Sequence, residues 1–155
     1  MLDLSIVIVN FNTKKLVEDC FDSIKKEESK ISWEVIVVDN GSIDGSKDAF
    51  RKLEKEYNNF KLILNNENLG YAKANNQGVK ISKGKYLLLL NSDTIVKRYA
   101  LGNLIKFAEK TSDAGVIGSR LYNLDGSLQP SCFHFPTIKN ALLEYFFNKK
   151  GLFDK

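Results

Sequence analysis

Asp93 follows a short leucine run, Tyr86 to Leu90, and sits in the polar tetrad Asn91, Ser92, Asp93, Thr94. A carboxylate there could ligate a hard divalent ion, which takes oxygen donors and leaves positions for phosphate. Two β-branched runs end in a similar way. Leu4 to Val9 gives way to Asn10 and Asn12, and Trp33 to Val38 gives way to Asp39 and Asn40. Asp39 could accept hydrogen bonds from a ribose or a base, and Lys73 could neutralise phosphate charge. Asn and Asp also cap helices and close turns, so one such end is ordinary. Three ends on one edge would suit a polar ligand with many donors and acceptors. A nucleotide diphosphate held by a metal is the simplest ligand that uses them all.

The edge exists only if the strands are parallel. The leucine run is far shorter than the ~20 residues of a membrane span and fits a strand buried on both faces. A run of strands alternating with helices precedes and follows it. Leu4–Val9 is expected as a strand, then a helix capped by Asn12 or Thr13, with Leu16, Cys20 and Ile24 on its apolar stripe beside Val17 and Phe21. Trp33–Val38 is the second strand, with a turn-rich loop at residues 40–46 and a helix to about Tyr57. Phe60–Leu64 is the third strand, and Tyr71–Val79 a short helix. After the leucine run, Leu101, Leu104, Ile105 and Ala108 mark another helix, and Ala114–Ser119 reads as a short strand. This alternation argues for an α/β fold with a largely parallel sheet flanked by helices. Ligands in such sheets bind beyond the carboxyl ends of the strands. After residue 119 the alternation stops. Asp125-Gly126 reads as a hairpin turn, and Ile138–Phe147 as a last amphipathic segment.

Composition narrows the class. With 155 residues, 43% hydrophobic and 27% charged, the chain can build one domain with a real core. The net charge of +4 is mild, and its lysines fall on solvated helix faces, so no nucleic-acid partner is expected. Cys20 and Cys132 are far apart and read as free thiols in a reducing compartment. The single histidine, His134, leaves no Cys/His zinc site and reads as a loop or structural residue, with a general base as the alternative. The start of the chain has no signal-peptide pattern, so we expect a cytoplasmic protein, with the inner face of the membrane as an alternative station. Neither G-x-G-x-x-G nor G-x-x-x-x-G-K-[ST] occurs, which removes the dinucleotide fingerprint and the P-loop. A nucleotidyltransferase would open on a Gly-rich basic loop, and Asn10-Phe11-Asn12 does not supply one.

Four segments in order carry a resemblance: SIVIVNFN at 5–12, VIVVDNGSIDGS at 35–46, NLGYAKANNQG at 68–78 and LLLLNSD at 87–93. Together they resemble the family 2 glycosyltransferases, which have the GT-A, Rossmann-like nucleotide-diphospho-sugar transferase fold. RLYNLDGSLQ at 120–129 and FPT at 135–137 resemble a branch that includes many bacterial rhamnosyltransferases. The resemblance implies one GT-A domain over 1–155, with a nucleotide-sugar-binding part at about 1–119 and a hairpin and helix at about 120–155. It implies a UDP- or dTDP-sugar donor and a glycan or lipid-linked acceptor in polysaccharide or cell-surface glycan synthesis, with inversion at the anomeric carbon. Asn10 and Asn12 match the loop beside the nucleoside, and Asp39 the acidic residue that holds base or ribose. Asn68 and Lys73 belong to the Asn-x-Gly segment near the donor. Asn91-Ser92-Asp93 occupies the DxD position, where Mg²⁺ or Mn²⁺ would rest mainly on Asp93 because a neutral amide is the poorer ligand.

An inverting transferase needs a general base. In the family it comes from a later acidic segment that this chain does not match. Asp113, Asp125, Glu144 and Asp154 lack its context. The expectation is therefore a donor-binding part truncated at its C-terminal side, with a binding module without turnover as the alternative. Leu142, Leu143, Tyr145, Phe146, Phe147, Leu152 and Phe153 form an apolar C-terminal surface. It could pack on the sheet, self-associate or touch a membrane edge.

Overall fold

A computed structural model of the chain describes residues 2–131, 135 and 137–147. His134, Cys132 and the apolar residues beyond 147 lie outside the described residues. The chain divides into two compact units, Met1–Ser112 and Asp113–Lys155.

The first unit alternates strands and helices: β1 (Leu4–Asn10), α1 (Lys14–Lys25), β2 (Trp33–Asn40), α2 (Ser46–Glu56), β3 (Phe60–Asn65), α3 (Tyr71–Ile81), β4 (Tyr86–Leu90) and α4 (Ala100–Lys110). Its four strands run parallel in the order β3-β2-β1-β4. Strand alternation sends Ile6, Ile8, Val35 and Val37 to one face. There they meet Val17, Cys20, Phe21 and Ile24 of α1, Phe50 of α2, and Leu101 and Ile105 of α4. Val7, Ile36 and Val38 face the other side, where Ala74 of α3 covers them. Phe21 is fully buried and meets Phe60, Tyr57 and Trp33 edge-on, with ring centroids at 4.9, 5.2 and 6.4 Å. Each fully buried side chain of this size contributes about 1.5–3 kcal/mol by leaving water. Gly78 lets α3 approach the sheet, since a Cβ there would lie 2.5 Å from Cγ1 of Val7.

Four expectations need correction. β4 is an edge strand buried on one face only, not a strand buried on both. Tyr86, Leu88 and Leu90 pack on the main core, whereas Leu87 and Leu89 remain 45% and 50% exposed. The cause is that α3 lies over β1 and β2. Residues Ala114–Ser119 form no strand. Gly115 and Gly118 weaken any extended run, and Val116 is almost fully exposed, so this segment has no face to bury. Leu16 is not on the stripe of α1 but exposed, and Ser23 takes a buried place instead. Neither Asn12 nor Thr13 caps α1 through its side chain. Asp44 does so from the next loop, its Oδ2 accepting the N–H of Lys14 at 2.9 Å.

In the second unit, β5 (Leu121–Tyr122) and β6 (Leu128–Gln129) pair antiparallel. Gly126 takes φ +86° in their turn, and Asp125 accepts from both the N–H and the hydroxyl of Ser127. Helix α5 spans Ile138–Phe147. No helix among the described residues is long and apolar enough to cross a membrane.

Candidate functional site

The register decides where the polar strand ends fall. Asn10 is level with Asp39, and Ile8 with Leu90, so the loops after β1, β2 and β4 leave the same edge. Side chains tie them together there. Asn10 Nδ2 donates to Asp39 Oδ1 at 2.7 Å and to Ser42 Oγ at 2.9 Å. Asn10 Oδ1 accepts from the Thr13 hydroxyl at 2.8 Å, and that hydroxyl also lies 3.3 Å from Ser92 Oγ. Asn40 Nδ2 donates to Asn68 Oδ1 at 2.7 Å, which brings in the loop before α3. The Tyr71 hydroxyl donates to Asn91 Oδ1 at 3.1 Å and joins the start of α3 to the end of β4.

Among these loops opens a cleft of about 300 Å³. Asn40, Asn68, Asn91 and Asp93 line it, together with Val9, Phe11, Thr13, Tyr71 and Ser92. Sequence reasoning missed the two aromatic walls, Phe11 and Tyr71. Phe11 follows Asn10 in a polar loop and remains 46% exposed where it lines the cleft. The other named residues lie differently. Asn10 and Asp39 are fully buried beneath the cleft. Asn12 takes φ +56° and spends its Oδ1 on the N–H of Ile43. Lys73 is exposed on the first turn of α3, with no hydrogen bond or ion pair among the described residues.

The two aspartates therefore offer different chemistry. Asp39 accepts from Asn10 and from the N–H of Ser42, so it organises the loop from below. Asp93 is exposed and has no hydrogen bond or ion pair among the described residues, which leaves both oxygens for a ligand. Its charge reaches inward all the same. Burial first, and Asp93 second, push the Cys20 thiol up to about 12, so Cys20 stays protonated and unreactive.

Among the described residues no three His, Cys, Asp or Glu side chains gather into a metal cage. Asp93 is the one carboxylate among the described lining residues, beside the hydroxyl of Ser92. This is a hard-oxygen set of low charge. It fits a divalent ion that takes most of its ligands from phosphate and water, as Mg²⁺ does.

The family model described as glycosyl transferase family 2 matches residues 5–150. The chain belongs to family 2 of the glycosyltransferases. It is 31% identical over 124 residues to the glycosyltransferase GlyG of Streptococcus pneumoniae, a match spanning 80% of this chain and 40% of that one. It is 32% identical over 127 residues to the poly(ribitol-phosphate) beta-glucosyltransferase of Bacillus spizizenii, spanning 81% of this chain and 20% of that protein. The chain thus spans well under half of these two relatives' lengths. Its fold is the GT-A fold of solved transferases. S. aureus TarS in complex with UDP-GlcNAc superposes with a TM-score of 0.64 at 21% identity, over 81% of this chain and 42% of that one. The mannosyltransferase PcManGT from Pyrobaculum calidifontis, in complex with GDP-Man and Mn²⁺, gives 0.65 at 23% identity, over 77% and 35%.

Proposed function

We propose that this chain is the donor-binding part of an inverting glycosyltransferase. It takes a nucleoside-diphosphate sugar and serves cell-surface or wall polysaccharide synthesis at the cytoplasmic face of the membrane. The observation that carries this is Asp93: a carboxylate with no hydrogen bond or ion pair among the described residues, at the rim of a cleft at the carboxyl edge of a family 2 chain. Phe11 offers a face on which a base could stack. Asn10 and Asp39 fix the loop beneath that end, with Asn12 beside it; Asn40, 2% exposed, holds Asn68 in place, and Asn68 offers its side-chain N–H to ribose or sugar hydroxyls. Lys73, two residues beyond Tyr71, is assigned to the diphosphate charge.

When bound, Mg²⁺ or Mn²⁺ supplies neutralisation of charge on the leaving diphosphate, and Asp93 is the residue that would hold it. A glycan or lipid-linked acceptor fits a relative that acts as a poly(ribitol-phosphate) glucosyltransferase. One observation favours a second reading, donor binding without turnover. Asp93 is the sole carboxylate among the described lining residues, so no lining side chain is assigned as general base. Release of sugar from donor by the isolated protein separates the two readings.

The test is calorimetry with UDP, GDP and dTDP and their sugars, each with Mn²⁺ and with EDTA. One nucleotide is expected to bind, and Asp93→Ala to remove the Mn²⁺-dependent gain, at least about tenfold in affinity. Unchanged affinity in Mn²⁺ would count against the role given to Asp93.

A further inference from the structure

The side-chain amide of Asn91, which follows β4 and lines the cleft, is held by its oxygen end. Tyr71 Oη donates to Asn91 Oδ1 at 3.1 Å, so one of the two lone pairs of that oxygen is engaged and the oxygen is turned toward α3. No described residue accepts from Asn91 Nδ2, and Asn91 is exposed where it lines the cleft. A primary amide has two donors on nitrogen and an acceptor oxygen. Anchoring the oxygen fixes which of these the ligand meets. Tyr71 can do this because it opens α3, and Asn68 and Gly70 set where α3 starts. Asn68 Oδ1 accepts both the Asn40 amide and the Gly70 N–H, at 2.7 and 2.9 Å.

We infer that Tyr71 is a positioning residue. Its hydroxyl holds Asn91 with Nδ2 toward the donor, so position 91 gives an N–H to an anionic or hydroxyl oxygen of the nucleotide sugar instead of a lone pair to a metal. Position 91 thereby supplies part of the charge complement that a second carboxylate and its metal would otherwise provide, and it does so without metal. The inference rests on the nucleotide-sugar reading above. It adds a specific claim: a measurable share of nucleotide affinity is independent of divalent ions and depends on the pair Tyr71–Asn91.

The experiment is calorimetric binding of UDP, GDP or dTDP, whichever the wild type binds, in EDTA and in Mn²⁺. Tyr71→Phe releases the amide and is expected to weaken binding in EDTA by about fivefold, the size of one net hydrogen bond. Asn91→Asp keeps an acceptor for Tyr71 but turns an anion toward the diphosphate. It is expected to weaken binding in EDTA by more than about tenfold. In both variants the ratio of affinity in Mn²⁺ to affinity in EDTA rises, because the oxygen at position 91 becomes available to the ion. A merely structural role for either residue would not move that ratio.

The wild type supplies a readout that needs no variant to fold. On adding the nucleotide in EDTA, the side-chain amide signals of ¹⁵N-labelled Asn91 are expected to shift. A ratio unchanged in either variant, or Asn91 signals that stay in place, overturns the inference and leaves the donor-site reading standing. A wild type that binds none of the three nucleotides in either condition removes both.

Discussion

Glu34 shows how much one side chain can organise far from any ligand. It is 4% exposed at the amino end of β2, opposite the cleft. Its carboxylate accepts from the Ser5 hydroxyl and the Lys83 N–H and pairs with Lys61, so it staples the α3–β4 turn to β1 and β3. Burial alone would raise its pKa. The Lys61 ammonium, the Ser5 hydroxyl and the Lys83 N–H outweigh burial and hold it below its ordinary 4.5. A carboxyl lowered on folding stabilises the fold at and above its unfolded value, and the gain disappears as pH falls through the lower folded value. Glu34→Gln is therefore expected to cost about 2 kcal/mol at pH 7. The difference from wild type should narrow below about pH 4, as urea denaturation across that range would show. At this scale the sequence is legible in type but not in partnership. Asp39 and Asp93 look alike as residues that end strands. Only the fold reveals that Asn10 and Ser42 engage the first, while the second has no hydrogen bond or ion pair among the described residues. Phe11 escaped notice because an aromatic residue in a polar loop reads equally well as a plug for the core, and Tyr71 because an aromatic residue opening a helix reads as part of its packing face.

At the scale of elements, the loop after β2 is fixed by a demand on Gly41. Its φ is +86°, and a Cβ would lie 2.7 Å from the carbonyl carbon of Glu67. Left-handed backbone and close approach both require glycine here. The loop delivers Ser42 to Asn10 and Asn12, and Asp44 to the first N–H of α1. Gly41→Ala is expected to destabilise the protein by about 2 kcal/mol, a fall of roughly 6 °C in Tm. It should also weaken nucleotide binding, because the floor of the cleft is built on this loop. Thermal unfolding and calorimetry on one preparation check both. Elements whose pattern is complete in themselves were readable. The β-branched runs of β1 and β2 and the Asp125-Gly126 turn are such cases. Ala114–Ser119 looked like a strand from its apolar residues, yet a strand also needs a partner, and Gly115 and Gly118 make it a weak one.

For the whole molecule, the parallel order β3-β2-β1-β4 was implied by alternating strands and helices, and it places three polar ends on one edge. What sequence could not convey is how far the cover extends. A run of leucines has the same letters whether a helix overlies it or not, and α3 reaches only β1 and β2. The edge of β4 that no described strand pairs has a dynamic consequence. In a parallel strand alternate amides point to opposite neighbours. Tyr86 donates inward to Asp3 O, so Leu88 and Leu90 also point toward β1, and Leu87 and Leu89 point away from it. β4 should therefore be a strand of two speeds in deuterium oxide. Leu88 and Leu90 would keep their protons for as long as the sheet holds, and Leu87 and Leu89 would surrender theirs almost at once. Slow exchange at those two positions that deepens with protein concentration would mean another chain has zipped onto the edge, the hazard every bare strand carries.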